Sequence, residues 1–113
     1  MDKDLIAIRN NLRRFAAQRN WETFHSPKNL AMALTVESAE LLEHFQWLTE
    51  GESDALSDEQ RREVRRELAD VLIYLVQIAD RLNVDLADAV GDKMTANAVK
   101  YPAVQDDMFD AYD

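Results

Sequence analysis

Apolar residues recur at intervals of three or four along nearly the whole 113-residue chain, and no stretch alternates cleanly with a period of two. Leu5, Ile8, Leu12 and Phe15 share one face of a first helix, which is predicted over about residues 2–19. Gly and Pro occur only twice each, and this scarcity favours long helices with few turns. The pattern therefore predicts an all-α protein.

Polar capping residues mark the starts of three further helices. Ser26 precedes Pro27 in the order typical of an N-cap and a first helical residue. Ser57 and Gln60 have the spacing of a capping box, and Asp85 is suited to cap the last helix. These three helices are predicted over about residues 27–49, 57–82 and 85–100, with a loop at residues 50–57.

Short connections between long helices favour an antiparallel four-helix bundle. The segment from Val71 to Val76, "VLIYLV", is apolar around the whole circumference of the third helix. A helix that is apolar on every side is buried on every side, and a single small bundle covers it poorly. We therefore predict an oligomer, formed most simply with a second copy of the chain. The predicted domain spans residues 1–102, and residues 103–113 form an acidic, flexible tail.

The net charge of the chain limits the classes of molecule that it is expected to bind. Acidic residues outnumber basic ones by 22 to 13, which gives a formal charge of -9 and disfavours binding to nucleic-acid polymers or anionic membranes. The chain has no Cys, so disulfides and thiolate metal sites are excluded. The longest apolar run is too short to span a bilayer, and the first residues lack a signal pattern. These features predict a soluble, cytoplasmic protein.

Two pairs of carboxylates occur at helical spacing in the second and third predicted helices. Glu37 and Glu40 lie three residues apart, as do Glu67 and Asp70, so each pair shares a helix face. If the two helices pack antiparallel, the four carboxylates can converge. The ordinary alternative is a solvated face with surface ion pairs. That alternative suits the second pair better, because two arginines directly precede it in the sequence.

The second helix offers its carboxylates no positive partner. Residues 29–60 contain eight acidic residues and neither Lys nor Arg. Grouped carboxylates beside apolar surface lose hydration and repel one another, at a cost on the order of several kcal/mol. A divalent cation offsets that cost, and oxygen ligands favour Mg²⁺, with Mn²⁺ and Ca²⁺ as alternatives. Since Mg²⁺ held by a few carboxylates also takes phosphate oxygens as ligands, a phosphate-bearing substrate is expected.

Three segments together resemble a known family. They read WETFHSPKNLAMALTVESAELLEHFQW (residues 21–47), ELADVLIYL (residues 67–75) and KMTANAVKYP (residues 93–102). At these spacings they are similar to the MazG-like all-α nucleoside triphosphate pyrophosphatases, and within these to the dCTP pyrophosphatase group. The resemblance covers about residues 15–102. It implies Mg²⁺-dependent hydrolysis of a (deoxy)nucleoside triphosphate to a monophosphate and pyrophosphate, with dCTP or a modified cytosine nucleotide as the first substrate to consider.

The same resemblance implies roles for individual residues. The catalytic, metal-holding carboxylates would be Glu37, Glu40, Glu67 and Asp70, and one of Glu37, Glu40 and Glu43 would act as general base. The substrate-binding residues would be His25, Trp47, Tyr74, Lys93 and Asn97, with Trp21 as a weaker addition. The resemblance also implies a homo-oligomer, a dimer or a tetramer, whose sites draw on more than one subunit.

A second hypothesis is a non-enzymatic helical module, whose acidic bundle binds a cation structurally or docks a basic protein. On that hypothesis Trp47, Tyr74, Lys93 and Asn97 are ordinary core or solvated side chains and can be replaced without loss. The enzyme hypothesis predicts the opposite, so the two are separated by substitution and by an activity assay.

Overall fold

A computed structural model of the protein describes residues 3–104, and all the regular structure in that part of the chain is helical. The four long helices expected from the sequence are present, which confirms the all-α fold. The predicted tail lies almost wholly in residues 105–113, outside the described part. The elements are α1 (Lys3–Gln18), a single 3-10 turn (Glu22–Phe24), α2 (Pro27–Glu43), α3 (Glu50–Ser53), α4 (Asp58–Arg81) and α5 (Leu86–Lys100).

The predicted capping residues begin the helices as expected. The Ser26 hydroxyl accepts a hydrogen bond from the Asn29 backbone N–H at 3.1 Å, and Pro27 follows it in the first turn of α2. Ser57 and Gln60 form the full capping box of α4. The Asp85 carboxylate caps α5. These local interactions satisfy backbone donors that the first turn of a helix leaves unpaired.

The end of the second helix was predicted wrongly. Helix α2 ends at Glu43 rather than near residue 49, and the backbone turns through residues 44–48. Thr49 then takes an extended backbone conformation and forms a capping box with Glu52, which opens the one-turn α3 where a loop was expected. Two reciprocal cap bonds favour this new start over continuation of α2.

Asparagine residues end two of the long helices. Asn20 and Asn83 have φ values of 56° and 55°, the left-handed conformation that asparagine tolerates better than most residues. After α4, the Val84 backbone N–H donates to the Ala79 carbonyl at 2.8 Å, the wrap-around bond of a Schellman motif. These caps stop α1 and α4 sharply and turn the chain towards the next element.

The main interface of the fold lies between the antiparallel helices α2 and α4, and α1 packs on α4 as well. Leu30 on α2 and Val64 and Val76 on α4 are buried there. Near the far end of the interface, His44 Nδ1 lies 3.9 Å from Glu63 Oε2. This register sets the C-terminal half of α2 against the N-terminal half of α4, where both carboxylate pairs lie.

Two charged side chains join α1 to α4. Arg13 Nε donates to Asp80 Oδ2 at 2.8 Å, and its Nη2 donates to the other carboxylate oxygen. The two parallel hydrogen bonds fix orientation as well as distance. The guanidinium of Arg13 lowers the pKa of Asp80, chiefly through these hydrogen bonds. Helix α1 is therefore held in place beside the C-terminal half of α4.

One chain leaves much apolar surface uncovered. Its radius of gyration is 18.0 Å, whereas a compact domain of this length has a value of about 13 Å. Helix α5 does not pack extensively on any other helix, and it exposes Val90 and Met94. Another exposed apolar feature lies along α4 and at its C-cap. This leucine row consists of Leu68, Leu72, Leu75 and Leu82.

The leucine row has the spacing of a coiled-coil seam. Its members follow the alternating steps of four and three residues that keep side chains on one stripe of a helix. The remaining position of that stripe is Ala79, which is buried within the chain. No helix in the described part of the chain has both the length and the continuous apolar character required to cross a membrane.

Candidate metal and substrate site

Carboxylates from α2 and α4 meet at the centre of the helix pair. Glu37, Glu67 and Asp70 each offer one oxygen, and these three oxygens lie within 4.8 Å of one another. The i, i+3 spacing within each helix and the antiparallel register between them produce this meeting. All three side chains are partly buried rather than solvated. Three of the four carboxylates that were expected to converge therefore meet here in the folded chain.

The carboxylate cluster is electrostatically unfavourable without a cation. Burial raises the pKa of Glu37 to about 7, helped by hydrogen bonding to Glu40 and Glu67 and by repulsion from Glu40 and Asp70. Burial also raises the pKa of Glu67, again with a contribution from Glu40. Glu40 therefore belongs to the cluster, as its spacing predicts. A carboxyl group is harder to ionise when it is buried and when other carboxylates lie close to it, and both conditions raise its pKa.

No basic side chain neutralises the cluster. Within residues 4–104, none of the four carboxylates forms an ion pair with Lys, Arg or His, so the surface ion-pair alternative does not describe them. When the carboxylates are ionised, the buried atoms Glu37 Oε2 and Glu67 Oε2 have no hydrogen-bond donor. Buried acceptors without partners are rare and call for an unseen donor or ion. Oxygens alone, grouped and negatively charged, suit a hard divalent cation such as Mg²⁺.

The raised pKa of Glu37 predicts a pH dependence. In the metal-free protein the folded state holds this proton more tightly than the unfolded state, whose carboxyl has the ordinary value of 4.5. The resulting stabilisation is complete below 4.5 and is lost as the pH rises through about 7. We expect thermal unfolding in EDTA to show a falling midpoint across this range, and Glu37→Gln to flatten it.

Added Mg²⁺ should reverse that loss, because the ion binds only deprotonated ligands. The gain in unfolding temperature on adding Mg²⁺ should be larger at about pH 8 than at about pH 5.5, where protons compete for Glu37. An equal gain at both pH values would contradict the assignment of Glu37 as a ligand.

A cavity of about 180 Å³ lies between α1, the start of α2 and the C-terminal half of α4, about two helical turns along α4 from the cluster. His25 lines it, and its role in binding substrate stays a prediction. The ring of Trp21 meets the ring of His25 edge-on, with centroids 6.3 Å apart, and also packs edge-on against Phe15. The structure thus brings together two of the residues assigned by resemblance. The other side chains that line the cavity are Arg9, Leu12, Arg13, Ala16, Glu22, Leu30, Val76, Gln77, Asp80 and Arg81.

Tyr74 lies on α4 between the cluster and the cavity. It follows Asp70 by one helical turn, and Gln77 follows by nearly another, so the three residues share a stripe of the helix. Tyr74 is half-buried. Gln77 was not anticipated as a site residue, although it is the only amide in the sequence "VLIYLVQIA" of α4. A single polar side chain within an apolar stretch was the one feature of the sequence that could have indicated a role for Gln77.

Three expected substrate-binding residues lie outside this arrangement within one chain. Trp47 is 86% exposed, in the turn after α2. Lys93 is exposed and Asn97 half-buried on α5, which packs extensively on neither α2 nor α4. A single chain therefore assembles the carboxylates and the cavity but does not bring these three side chains to them.

The chain is similar in sequence to proteins named dCTP pyrophosphatase 1. Human dCTP pyrophosphatase 1 is 52% identical over 91 residues, which are 79% of this chain and 54% of the human protein. The rat protein of the same name is 49% identical over 90 residues, covering 78% of this chain and 53% of its own. The chain thus spans about half the length of the curated relatives it matches.

A solved structure supports the fold independently of those relatives. A pyrophosphatase from Archaeoglobus fulgidus superposes with a TM-score of 0.84 at 38% sequence identity, over 91% of this chain and 96% of the archaeal one. The sequence pattern of the MazG-like family matches residues 32–112, which include all four carboxylates of the cluster. The chain belongs to the MazG-like family.

Proposed function

We propose that the protein hydrolyses a deoxynucleoside triphosphate to the monophosphate and pyrophosphate, with dCTP or a modified cytosine nucleotide as substrate. The observation that carries this proposal is the carboxylate cluster. Two of its buried oxygens have no hydrogen-bond donor, and no basic side chain in the described part of the chain pairs with it. The names of the human and rat relatives support the reaction and the base. The similarity to the archaeal pyrophosphatase supports the same class of chemistry.

Glu37, Glu40, Glu67 and Asp70 would hold the metal. Mg²⁺ is the preferred ion for an all-oxygen site beside phosphates, and Mn²⁺ is the alternative. When bound, the ion supplies positive charge that offsets the charge of the triphosphate. The four carboxylates would orient it against the phosphates. Burial and, to a smaller extent, mutual repulsion raise the pKa of Glu37 in the metal-free protein, and both favour binding of a cation.

Water would attack the α-phosphorus, and the bond from that phosphorus to the oxygen bridging to the β-phosphate would break. The water loses one proton to a carboxylate general base, and pyrophosphate leaves with the bridging oxygen. Glu37 and Glu40 lie within the cluster and are suited to receive the proton. Glu43 is exposed at the last residue of α2, which favours it less.

The nucleotide would lie along α4, with its phosphates at the cluster and its base in the cavity. From Asp70 to Gln77 the helix rises by about 10.5 Å, and the same rise of about 10.5 Å separates Glu37 from Leu30 on α2. That length suits one nucleotide. Tyr74 would pack against the sugar between the two ends, and His25 with Trp21 would enclose the base.

The working form would be a homo-oligomer, a dimer or a tetramer. The leucine row and the uncovered face of α5 support this, since both leave apolar side chains in water in a single chain. A second copy packed on these faces would also bring its own Trp47, Lys93 and Asn97 within reach of the site. Lys93 would then neutralise phosphate charge as a point cation.

In the cell such an enzyme would remove unwanted nucleotides from the triphosphate pool, and we propose a cytoplasmic location for it. The acidic balance of the chain supports a small-molecule substrate rather than a nucleic-acid polymer.

A panel assay tests the proposal. Purified protein with Mg²⁺ is incubated with each canonical nucleoside triphosphate and with methylated dCTP, and the products are separated. We expect equal amounts of monophosphate and pyrophosphate, with cytosine nucleotides fastest. Release of single phosphate, or no turnover of any nucleotide by folded protein that binds Mg²⁺, would overturn the proposal and favour the non-enzymatic module.

A further inference from the structure

Gln77 carries a buried hydrogen-bond acceptor that has no donor within the described part of the chain. Its Oε1 is shielded from water and accepts no hydrogen bond. A buried acceptor without a partner costs about 1–3 kcal/mol, so such atoms are uncommon in folded proteins. The other two atoms of this kind in the described chain belong to the carboxylate cluster, where a cation accounts for them. Gln77 lies two turns away from that cluster and needs a different explanation.

The arginines that line the same cavity do not supply the missing donor. Arg9 donates to the Asn10 side chain, Arg13 to Asp80, and Arg81 to the Glu22 carbonyl. Each guanidinium is therefore engaged elsewhere, although all three line the cavity with Gln77. Gln77 Oε1 is therefore buried without a donor, while the Gln77 side chain lines a space large enough for a planar ring.

We propose that Gln77 selects the base of the substrate by accepting a hydrogen bond from its exocyclic amino group. The inference rests on the proposed function, because it takes the cavity to be the base end of the nucleotide site. Cytosine carries such an amino group, whereas uracil and thymine carry a carbonyl oxygen at the same position. Two acceptors facing each other in a buried site are left unpaired, and that penalty rejects the wrong base.

The side chain can present the atom without rearrangement of the backbone. The terminal torsion of glutamine is broad and soft, so a small rotation of the amide turns Oε1 into the cavity. The reversed amide, with its N–H groups inward, is disfavoured by the net positive charge of the lining, in which three guanidinium groups outnumber the carboxylates of Glu22 and Asp80. The lining thus fixes the acceptor end of the amide towards the ligand, and the acceptor end discriminates cytosine from uracil.

Substitution of Gln77 by Leu tests the proposal with two readouts. The first is the ratio of kcat/KM for dCTP to that for dUTP, which we expect to fall by about 10- to 100-fold, mainly through KM for dCTP. The second is calorimetric binding of dCMP and dUMP, which needs no turnover. The wild-type protein should bind dCMP more tightly, and Gln77→Leu should bind both alike. Gln18→Leu, at an exposed glutamine on α1, is the matched control and should change neither readout.

The outcomes separate the two proposals. Wild-type protein that hydrolyses nucleotides but treats dCTP and dUTP alike, or a Gln77→Leu variant that keeps the wild-type preference within about twofold, would overturn the role of Gln77 while leaving the proposed function intact. Protein that turns over no nucleotide but prefers dCMP in a Gln77-dependent way would overturn the proposed function alone. Because leucine replaces a buried amide at similar volume, the variant is expected to fold, and thermal unfolding checks this.

Discussion

Replacing Glu37 with Gln, or Asp70 with Asn, is expected to lower pyrophosphate release from dCTP on the order of a thousandfold. Each change removes one charge from a set of oxygens that lie within 4.8 Å of one another, so the site loses its hold on Mg²⁺. The measurement is the initial rate of pyrophosphate release at saturating Mg²⁺. Because each change weakens the affinity for the ion, Mg²⁺ well above the concentration that saturates the wild-type protein should restore part of the rate.

The stability of the same variants should change in the opposite direction. Removing a charge from four crowded carboxylates relieves repulsion, so metal-free Glu37→Gln is expected to unfold at a temperature higher by roughly 4 °C at about pH 8. Glu59→Gln, at an exposed acid in the first turn of α4, is the matched control and should keep full activity. Wild-type rates in both cluster variants would refute the metal site.

Placing charge in the leucine row is expected to dissociate the homo-oligomer that we propose. Burying one leucine contributes about 1.5–3 kcal/mol, so the double variant Leu68→Glu, Leu75→Glu should weaken association by more than about a thousandfold. Sedimentation equilibrium should then report a monomer with unchanged helicity. We also expect activity to collapse, because Lys93, Asn97 and Trp47 of a second copy no longer reach the site.

The control for the leucine row is Val104→Glu, which adds the same charge at an exposed apolar residue outside the helices. It should leave both mass and activity unchanged. A leucine-row variant that stays oligomeric and active would show that copies associate through another face, most simply through α5. A wild-type protein that sediments as a fully active monomer would contradict the shared site itself.

The features predicted well from the sequence are those set by local interactions. Ser26, Ser57 and Asp85 cap their helices because a polar side chain three residues from a free backbone N–H suffices. The carboxylate cluster followed from two i, i+3 pairs and an antiparallel register. The absence of any nearby Lys or Arg, rather than the acids alone, distinguished the pair on α2 from an ordinary solvated face.

The features that were missed depend on competition or on tertiary packing. The apolar spacing continues past Glu43, so the pattern extended α2, while the Thr49–Glu52 capping box that begins α3 was overlooked. The position of Gln77 at a cavity depends on the packing of α1, α2 and α4, which the sequence pattern does not contain. Periodicity assigned α5 an apolar face but contains no information about what that face contacts. The roles of Lys93 and Asn97 rest on family resemblance for the same reason.

The rate of pyrophosphate release from dCTP by the wild-type protein, measured in Mg²⁺, after chelation with EDTA and after Mg²⁺ is restored, tests the central claim most directly. Hydrolysis at the carboxylate cluster predicts release in Mg²⁺, none in EDTA and full recovery on restoring the ion. Release that continues unchanged in EDTA, or no release under any of the three conditions from protein with its helices intact, would contradict it.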